Sequence, residues 1–532
     1  MKVDPAAPTP EAPHPPAPAA GAGARSHALV IGIFIAGVLA VAVALRFITK
    51  SDLWLDEALT VNIAKLPLSG LEAALKRDGA PPLYYLLLHG WIRIFGSSDV
   101  AVRALSGVLG VIMLPLAYFA GRRLGGGDPD RARWTGWTML VVVAASPYAI
   151  RYSTETRMYM LTMVLVLLAY LAVWWTVRSP SFLPFFSVAI LITALLYTQY
   201  WSFFLVGAFA ATQLWIAWRN QGQARRTAIL LLLAVAAAGL FFIPWLPDFL
   251  YQMKHTGTPW DTPTSPPTNT ALGIIDFAGG RMIEGWTLVL PLVLLALLGL
   301  LGRARDRRFI ELDLRTVPGV RWEWLIGGLT LVGGLSLSFL AGTGFQSRYA
   351  SVMYPLFALA VALGITVLGD RRIRYGLLVF IVAVGFVGGV RNVITNRTQA
   401  SQVTDKIVAA AKRGDIVAYC PDQLGPDASR LLPAGLGLEQ VAFPNLQSPK
   451  FVDWVDYADR NAKASVDAFA QRLLQSGAGR TIWFVSSPNY RTFAGKCEQA
   501  LALLSTARPH HEGLVYPDDN LYEFMGLTRF DP

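Results

Sequence analysis

The stretch Asp52-Leu53-Trp54-Leu55-Asp56-Glu57-Ala58 closely follows an apolar run from Ala28 to Ile48. A run of that length crosses a bilayer as a helix, so the adjacent carboxylates lie at the membrane surface where it emerges. Ionised side chains beside hydrocarbon are costly and usually sit in a protein interior or a water-filled cavity, which makes Asp56 and Glu57 candidates for chemistry. The competing reading is that they cap the first turn of a surface helix, where the helix dipole favours acids.

Composition takes the same direction. Of the 532 residues, 54% are hydrophobic and 15% charged, and the mean hydropathy is +0.44. Soluble chains carry about 25% charged residues, so a chain this large with so few buries its surface in lipid as a polytopic membrane protein. Its formal charge of +11 does not point to nucleic acid, because the arginines cluster in short loops between apolar runs. Residues 1–26, rich in Pro and Ala, read as a disordered cytoplasmic tail, and the first apolar run as a retained anchor.

Windows of about 17 to 25 apolar residues predict about eleven spans, near 28–48, 100–120, 134–148, 158–177, 181–198, 201–218, 227–247, 286–302, 323–341, 350–368 and 375–391. Arginines follow the second (Arg122, Arg123, Arg131, Arg133), sixth (Arg219, Arg225, Arg226), eighth (Arg303, Arg305, Arg307, Arg308) and tenth spans (Arg371, Arg372, Arg374). These loops are assigned to the cytoplasm, with the N-terminus, in a plasma-membrane protein. The loop carrying Asp56 and Glu57, and everything after about Arg391, then lie outside.

Within the first outer loop, Leu66 to Arg77 has helical spacing, and Pro81-Pro82 opens a second segment, Leu83 to Phe95, containing Tyr84 and Tyr85. Its length and aromatic content predict an interfacial helix, so the loop walls a cavity around the acids. The second outer loop places Glu155 between Arg151 and Arg157, where a local ion pair competes with a functional role. The third outer turn contains Gln199, and the fourth loop, Pro247 to Gly285, contains Lys254 and His255; long loops of this kind tend to be lids or binding loops, and some are linkers. Arg348, at the outer end of a span, breaks the inside bias for cations and needs an anionic partner, either a lipid phosphate or Glu155.

After about Asn392 the composition becomes that of a soluble domain. Helices are predicted at Val403–Lys412, Val466–Leu474 and Phe493–Leu504, and strands at Asp415–Tyr419 and Thr481–Val485, giving a small α/β domain with a partly parallel sheet. Cys420 and Cys497 have no metal-ligand spacing; a disulfide is open to them in an oxidising compartment, and spacing alone leaves the pairing undecided.

Four segments together, Leu55-Asp56-Glu57-Ala58, Ala80-Pro81-Pro82-Leu83-Tyr84-Tyr85-Leu86, Arg103-Ala104-Leu105-Ser106 and Tyr152-Ser153-Thr154-Glu155-Thr156-Arg157-Met158-Tyr159, resemble the GT-C glycosyltransferases related to protein O-mannosyltransferases and lipid A aminoarabinose transferases. The resemblance covers about residues 28–400 and implies a mainly α polytopic fold of GT-C type over 27–391, with a C-terminal extracytoplasmic α/β domain over 392–532. The placement of that domain resembles actinobacterial cell-envelope glycosyltransferases. What the resemblance implies for activity is inverting transfer of a sugar from a polyprenyl-phosphate donor, with Asp56 matching the catalytic acid of the first loop, Glu57 its neighbour and Glu155 the acid of the second. Mannose is the first expectation for the sugar and arabinofuranose the next; the acceptor is a lipoglycan, a polysaccharide or a protein. Two positions depart from the family pattern: Ala80 and Gln199 stand where many relatives have His.

The chemistry follows without the resemblance. A sugar on a polyprenyl phosphate already has a leaving group, so transfer needs a base for the acceptor hydroxyl and cations for the departing phosphate. Asp56 is assigned as base; Glu57 and Glu155 orient hydroxyls or hold a divalent ion such as Mg, Mn, Ca or Zn. Arg348, with Arg157 or Lys254, neutralises the phosphate, and Tyr84, Tyr85, Gln199 and His255 complete the predicted substrate contacts. Two rivals are a flippase for lipid-linked sugars, which would place its site near the midplane between repeats, and a glycan-binding scaffold for envelope assembly.

Overall fold

The structure, a computed structural model, describes residues 22–257, 264–316 and 320–532. Most of the predicted N-terminal tail and part of the Pro/Thr/Ser stretch after His255 lie outside the described residues.

Each predicted span lies on a helix, and further short helices fill the loops. The chain runs through α1 (Ala22–Leu45), α2 (Leu55–Ala64), α3 (Leu68–Asp78), α4 (Leu83–Phe95), α5 (Asp99–Leu124), α6 (Pro129–Ala145), α7 (Pro147–Ser153) and α8 (Tyr159–Arg178). It continues through α9 (Phe182–Leu196), α10 (Ser202–Arg219), α11 (Gly222–Phe242), α12 (Leu246–His255), α13 (Pro266–Ala278) and α14 (Ile283–Leu301). A hairpin of β1 (Gly302–Ala304) and β2 (Ile310–Leu312) leads to α15 (Arg321–Leu340), α16 (Tyr354–Val367) and α17 (Arg371–Ile394). Among the described residues, six helices are long and apolar enough to cross a membrane: α5, α8, α14, α15, α17 and the continuous segment Gly222–His255. Leu29–Leu45, α9 and α16 are apolar but shorter. The chain is a multi-pass membrane protein.

Small residues let the spans approach closely, as helix packing in lipid requires. A Cβ at Gly364 would lie 1.8 Å from Leu295 O, and one at Gly299 would lie 2.4 Å from Ala360 O, so α14 and α16 meet backbone to backbone. The cation in the first apolar run is also accounted for. Arg46 is 1% exposed and donates to Val143 O at 3.0 Å and Ala144 O at 3.1 Å, satisfying carbonyls at the C-terminus of α6, where a cation is favoured.

Two predicted loops are more ordered than sequence suggests. The second outer loop forms α7, started by Pro147 and capped by Ser146 Oγ accepting from Ala149 N. The described residues of the fourth form α12 and α13. The span predicted at 350–368 begins instead as a 3-10 turn, Ser347–Val352, before α16.

α17 runs to Ile394, a little past the predicted boundary, and α18 (Ala400–Ala410) begins the soluble part. Its sheet comprises β3 (Ile416–Cys420), β4 (Glu439–Ala442), β5 (Ile482–Ser486), β6 (His511–Val515) and β7 (Gly526–Phe530), in the order β4-β3-β5-β7-β6. β3 pairs in parallel with β4 and β5, whereas β7 is antiparallel to β5 and β6. Around it pack α19 (Gly425–Leu431), α20 (Tyr457–Lys463), α21 (Val466–Ser476) and α22 (Lys496–Ala507). Cys420, at the end of β3, is disulfide-bonded to Cys497 of α22.

This domain sits directly on the first-loop helices. Trp454 N donates to Arg77 O at 3.1 Å, Asp456 N to His255 O at 2.8 Å, and Asn62 Nδ2 to Lys450 O at 2.8 Å. One continuous apolar core includes Leu59 of α2 and Phe443 of the soluble domain.

Candidate active site

α2 begins at Leu55, so Asp56 and Glu57 do occupy its first turn, yet their surroundings differ sharply. Glu57 is fully buried. Arg103 of α5 donates to it through Nε at 2.8 Å and Nη2 at 2.5 Å, and Thr156 N donates to Oε1 at 2.9 Å. Arg397 Nη1 stands 3.6 Å from Oε2. Burial opposes the charge on Glu57, but Arg103, Arg397 and the Thr156 amide outweigh it and hold the carboxyl below its ordinary range. Arg103 also donates to Ser51 O and Asp52 O at 2.6 and 2.9 Å. Glu57 is thus the buried tie that joins the first loop, α5, the second loop and the soluble domain.

Asp56 keeps 18% of its side chain exposed and faces two arginines, with Oδ2 3.6 Å from Arg348 Nη2 and 3.9 Å from Arg157 Nη2. Arg157 Nη1 donates to Thr60 Oγ1 at 2.8 Å and more weakly to Tyr85 OH at 3.4 Å. Arg348 lies over the Trp54 ring at 5.5 Å and donates to Tyr522 OH at 2.8 Å. The Nε atoms of both arginines are buried without a hydrogen-bond partner. Two guanidiniums beside one partly exposed carboxylate are suited to an anionic ligand.

Glu155 follows α7 and is 1% exposed. Its Oε2 meets Arg151 Nε at 3.1 Å and Arg397 Nη1 at 4.0 Å, while Oε1 has no hydrogen-bond partner. A cavity of about 310 Å³ opens here, lined among others by Arg151, Tyr152, Glu155, Asp276, Arg348 and Tyr522. Arg348 therefore links Asp56, its ion-pair partner, with the cavity that Glu155 borders. Tyr84 shares a hydrogen bond with Ser106 Oγ at 3.1 Å, and Tyr85 OH donates to Asp78 Oδ2 at 2.7 Å. Desolvation raises the Asp78 carboxyl against the pull of Arg157 and Tyr85.

Several sequence expectations need correction. Gln199 does not present its amide to a ligand: Nε2 donates to Tyr349 O at 3.1 Å and Oε1 accepts from Ser351 Oγ at 3.0 Å. It clamps the 3-10 turn that carries Arg348. His255 stands away from Asp56, with Nδ1 3.1 Å from Asp456 Oδ1 and its ring stacked on Tyr251, anchoring the soluble domain on α12. Lys254 is exposed on the same helix, and no ion pair joins it to Asp56 among the described residues. Glu57 and Glu155 do not make a divalent-metal site. The oxygens of Glu57 are taken by Arg103 and Thr156, and a cation between the two acids would lie against Arg103, Arg151 and Arg397. Among the described residues no group of three or more His, Cys, Asp or Glu is placed to hold a metal.

The sequence reading missed four contributors: Arg103, Asp78, Arg397 and Tyr522. Arg397 is 2% exposed; it donates to Thr154 O and Thr154 Oγ1 at 3.0 and 2.9 Å, and burial, then Arg151, lowers its pKa to about 9. Tyr522 packs edge-on against Trp54 with ring centroids 4.8 Å apart. Next to it, Glu523 Oε2 accepts from Leu55 N at 3.1 Å, so the C-terminal domain holds the N-terminus of α2.

No family model matches the chain, and no curated protein matches it in sequence. In structure it is similar to ArnT from Cupriavidus metallidurans in the apo state, with a TM-score of 0.56 and 14% identity over 96% of this chain and 98% of that one. ArnT from the same organism bound to undecaprenyl phosphate aligns with a TM-score of 0.53 and 13% identity over 95% and 98%. The likeness extends over nearly the whole of both chains, soluble domain included, and the chain has the GT-C fold.

Proposed function

We propose that the chain is an inverting glycosyltransferase that takes a sugar from a polyprenyl-phosphate donor at the outer face of the membrane. The observation that carries this reading is the partly open Asp56 carboxylate between the Arg157 and Arg348 guanidiniums. The ArnT structure with undecaprenyl phosphate bound supports the same class of donor.

In the reaction, an Asp56 carboxylate oxygen takes the proton from the acceptor hydroxyl as the hydroxyl oxygen attacks the anomeric carbon. The bond between this carbon and the phosphate oxygen breaks, and the polyprenyl phosphate leaves with the electron pair, held by Arg157 and Arg348. A single displacement inverts the anomeric centre. Glu155, which borders the cavity, orients the donor sugar, and Glu57 keeps the frame rigid rather than touching substrate. The Cys420–Cys497 disulfide supports an oxidising compartment for the soluble domain, in line with arginine-rich loops inside. Mannose remains the first sugar to test, with arabinofuranose next.

The test is purified protein in lipid nanodiscs given a panel of polyprenyl-phosphate sugars with mannan, arabinan and peptide acceptors. Consumption of one donor with formation of an inverted linkage is expected. Retention would contradict the single displacement, and movement of intact donor across the bilayer of sealed vesicles holding the same protein, without any transfer, would favour a flippase.

A further inference from the structure

A second and larger cavity, of about 940 Å³, lies between the first-loop helices and the soluble domain. One wall is α2 and α3, with Leu59 and Ala73, and the other is the segment from Phe443 to Asp453 together with α20. Its volume is near the upper end for ligand sites, and its lining is chemically mixed. Asn445 and Gln447 are exposed amides on the wall, and Phe451 is 39% exposed. Asn461 is only 2% exposed and its Nδ2 has no hydrogen-bond partner, which is uncommon for a buried amide. Arg460 pairs with Asp453 at 3.5 Å, and Arg77, Lys463 and Asp422 also line the wall.

We propose that this groove binds an extended, neutral glycan chain. Amides that both donate and accept suit sugar hydroxyls, and the Phe451 ring offers a flat apolar surface for the C–H face of a pyranose or furanose ring. A peptide is the less suited occupant. β4 is an edge strand, yet at the groove its last residue is already paired with the chain's own Gln447, Ala442 N donating to Gln447 O at 2.9 Å, so an added strand finds no free ladder there.

Leu59, on the groove wall, lies one helical turn beyond Asp56 on α2. The bound glycan is then the acceptor, its terminal hydroxyl delivered to Asp56; this last identification rests on the glycosyltransferase reading, whereas glycan binding does not.

The experiment uses the full chain in nanodiscs and a ladder of fluorescent mannose, arabinofuranose and glucose oligosaccharides of two to six units, with an unstructured hexapeptide as comparison. At least one series is expected to bind with affinity rising with length. Phe451→Ala should weaken the hexasaccharide about tenfold. Asn461→Leu should weaken it similarly while raising the melting temperature, because it removes an unpaired buried amide; a purely structural asparagine would not couple those two changes. No binding at millimolar concentration, unchanged affinity in both variants, or preferential binding of the hexapeptide would each overturn the proposal. If no donor is ever consumed but oligosaccharides bind with these dependences, the enzyme reading falls and the groove stands. If sugar is transferred while both variants bind normally, the reverse holds.

Discussion

Asp56 and Glu57 are neighbours in sequence with opposite duties, and the division follows from which oxygens remain free. Both oxygens of Glu57 are held by Arg103, with Thr156 N adding to one of them; Asp56 has only longer contacts to Arg157 and Arg348. Removing Glu57 strands buried Arg103 without its carboxylate and leaves Arg397 only Glu155 at 4.0 Å, a loss of about 3–5 kcal/mol for a buried pair. Glu57→Ala is therefore expected to fall sharply in melting temperature, whereas Asp56→Asn melts close to wild type; equal melting of the two would contradict the division. Position alone could show that two acids emerge beside the membrane. It could not separate them, because the distinction is made by Arg103, distant in sequence, and Arg397, more distant still.

At the scale of elements, α2 is held from the soluble domain by the segment Tyr522-Glu523. Glu523 accepts from Leu55 N and lies against Asp427, which itself accepts from Thr398 Oγ1 at 2.9 Å. Burial raises both carboxyls, Asp427 to about 6 and Glu523 well above its usual value, each further affected by the other. Groups raised in the folded state give stability that is complete below the unfolded value and is lost as pH rises through the folded one. The protection of amides around Tyr522, corrected for intrinsic exchange, should accordingly fall as pH rises through about 6, and Asp427→Asn should flatten that dependence; a protection factor independent of pH would contradict the linkage. None of this was visible in the sequence. Helical periodicity marked α3, α4, α18, α21 and α22, and apolar runs marked β3 and β5. In contrast β6, with His511, Glu512 and Gly513 exposed, carries no strand signal, and the contact of Tyr522 with Trp54 joins residues that only the docked domain brings together.

For the whole molecule, the arrangement of long apolar helices under a sheet-containing domain was legible because lipid imposes long runs that few other environments require. The loops were less legible. The segment from Pro247 to Gly285 read as a lid or linker, but α12 uses Gln252 Nε2 to bind Leu75 O at 2.8 Å and Lys76 pairs with Asp248 at 3.1 Å, fixing it on α3. Orientation is the remaining global property, argued from arginine placement. Alkaline phosphatase fused after Pro532 is expected to be active, and the same reporter placed between Arg303 and Arg308 inactive; the opposite pattern would put Asp56 on the wrong side for the proposed reaction.

In the proposed reaction one carboxylate, held open between two arginines, takes the proton of the acceptor. The most direct test of this step compares Asp56→Asn with wild type for two quantities measured on the same preparation, the affinity for the polyprenyl-phosphate donor and the turnover of sugar transfer. Retained donor affinity with turnover reduced about 10²–10⁴-fold is predicted. Transfer by Asp56→Asn at the wild-type rate would contradict it.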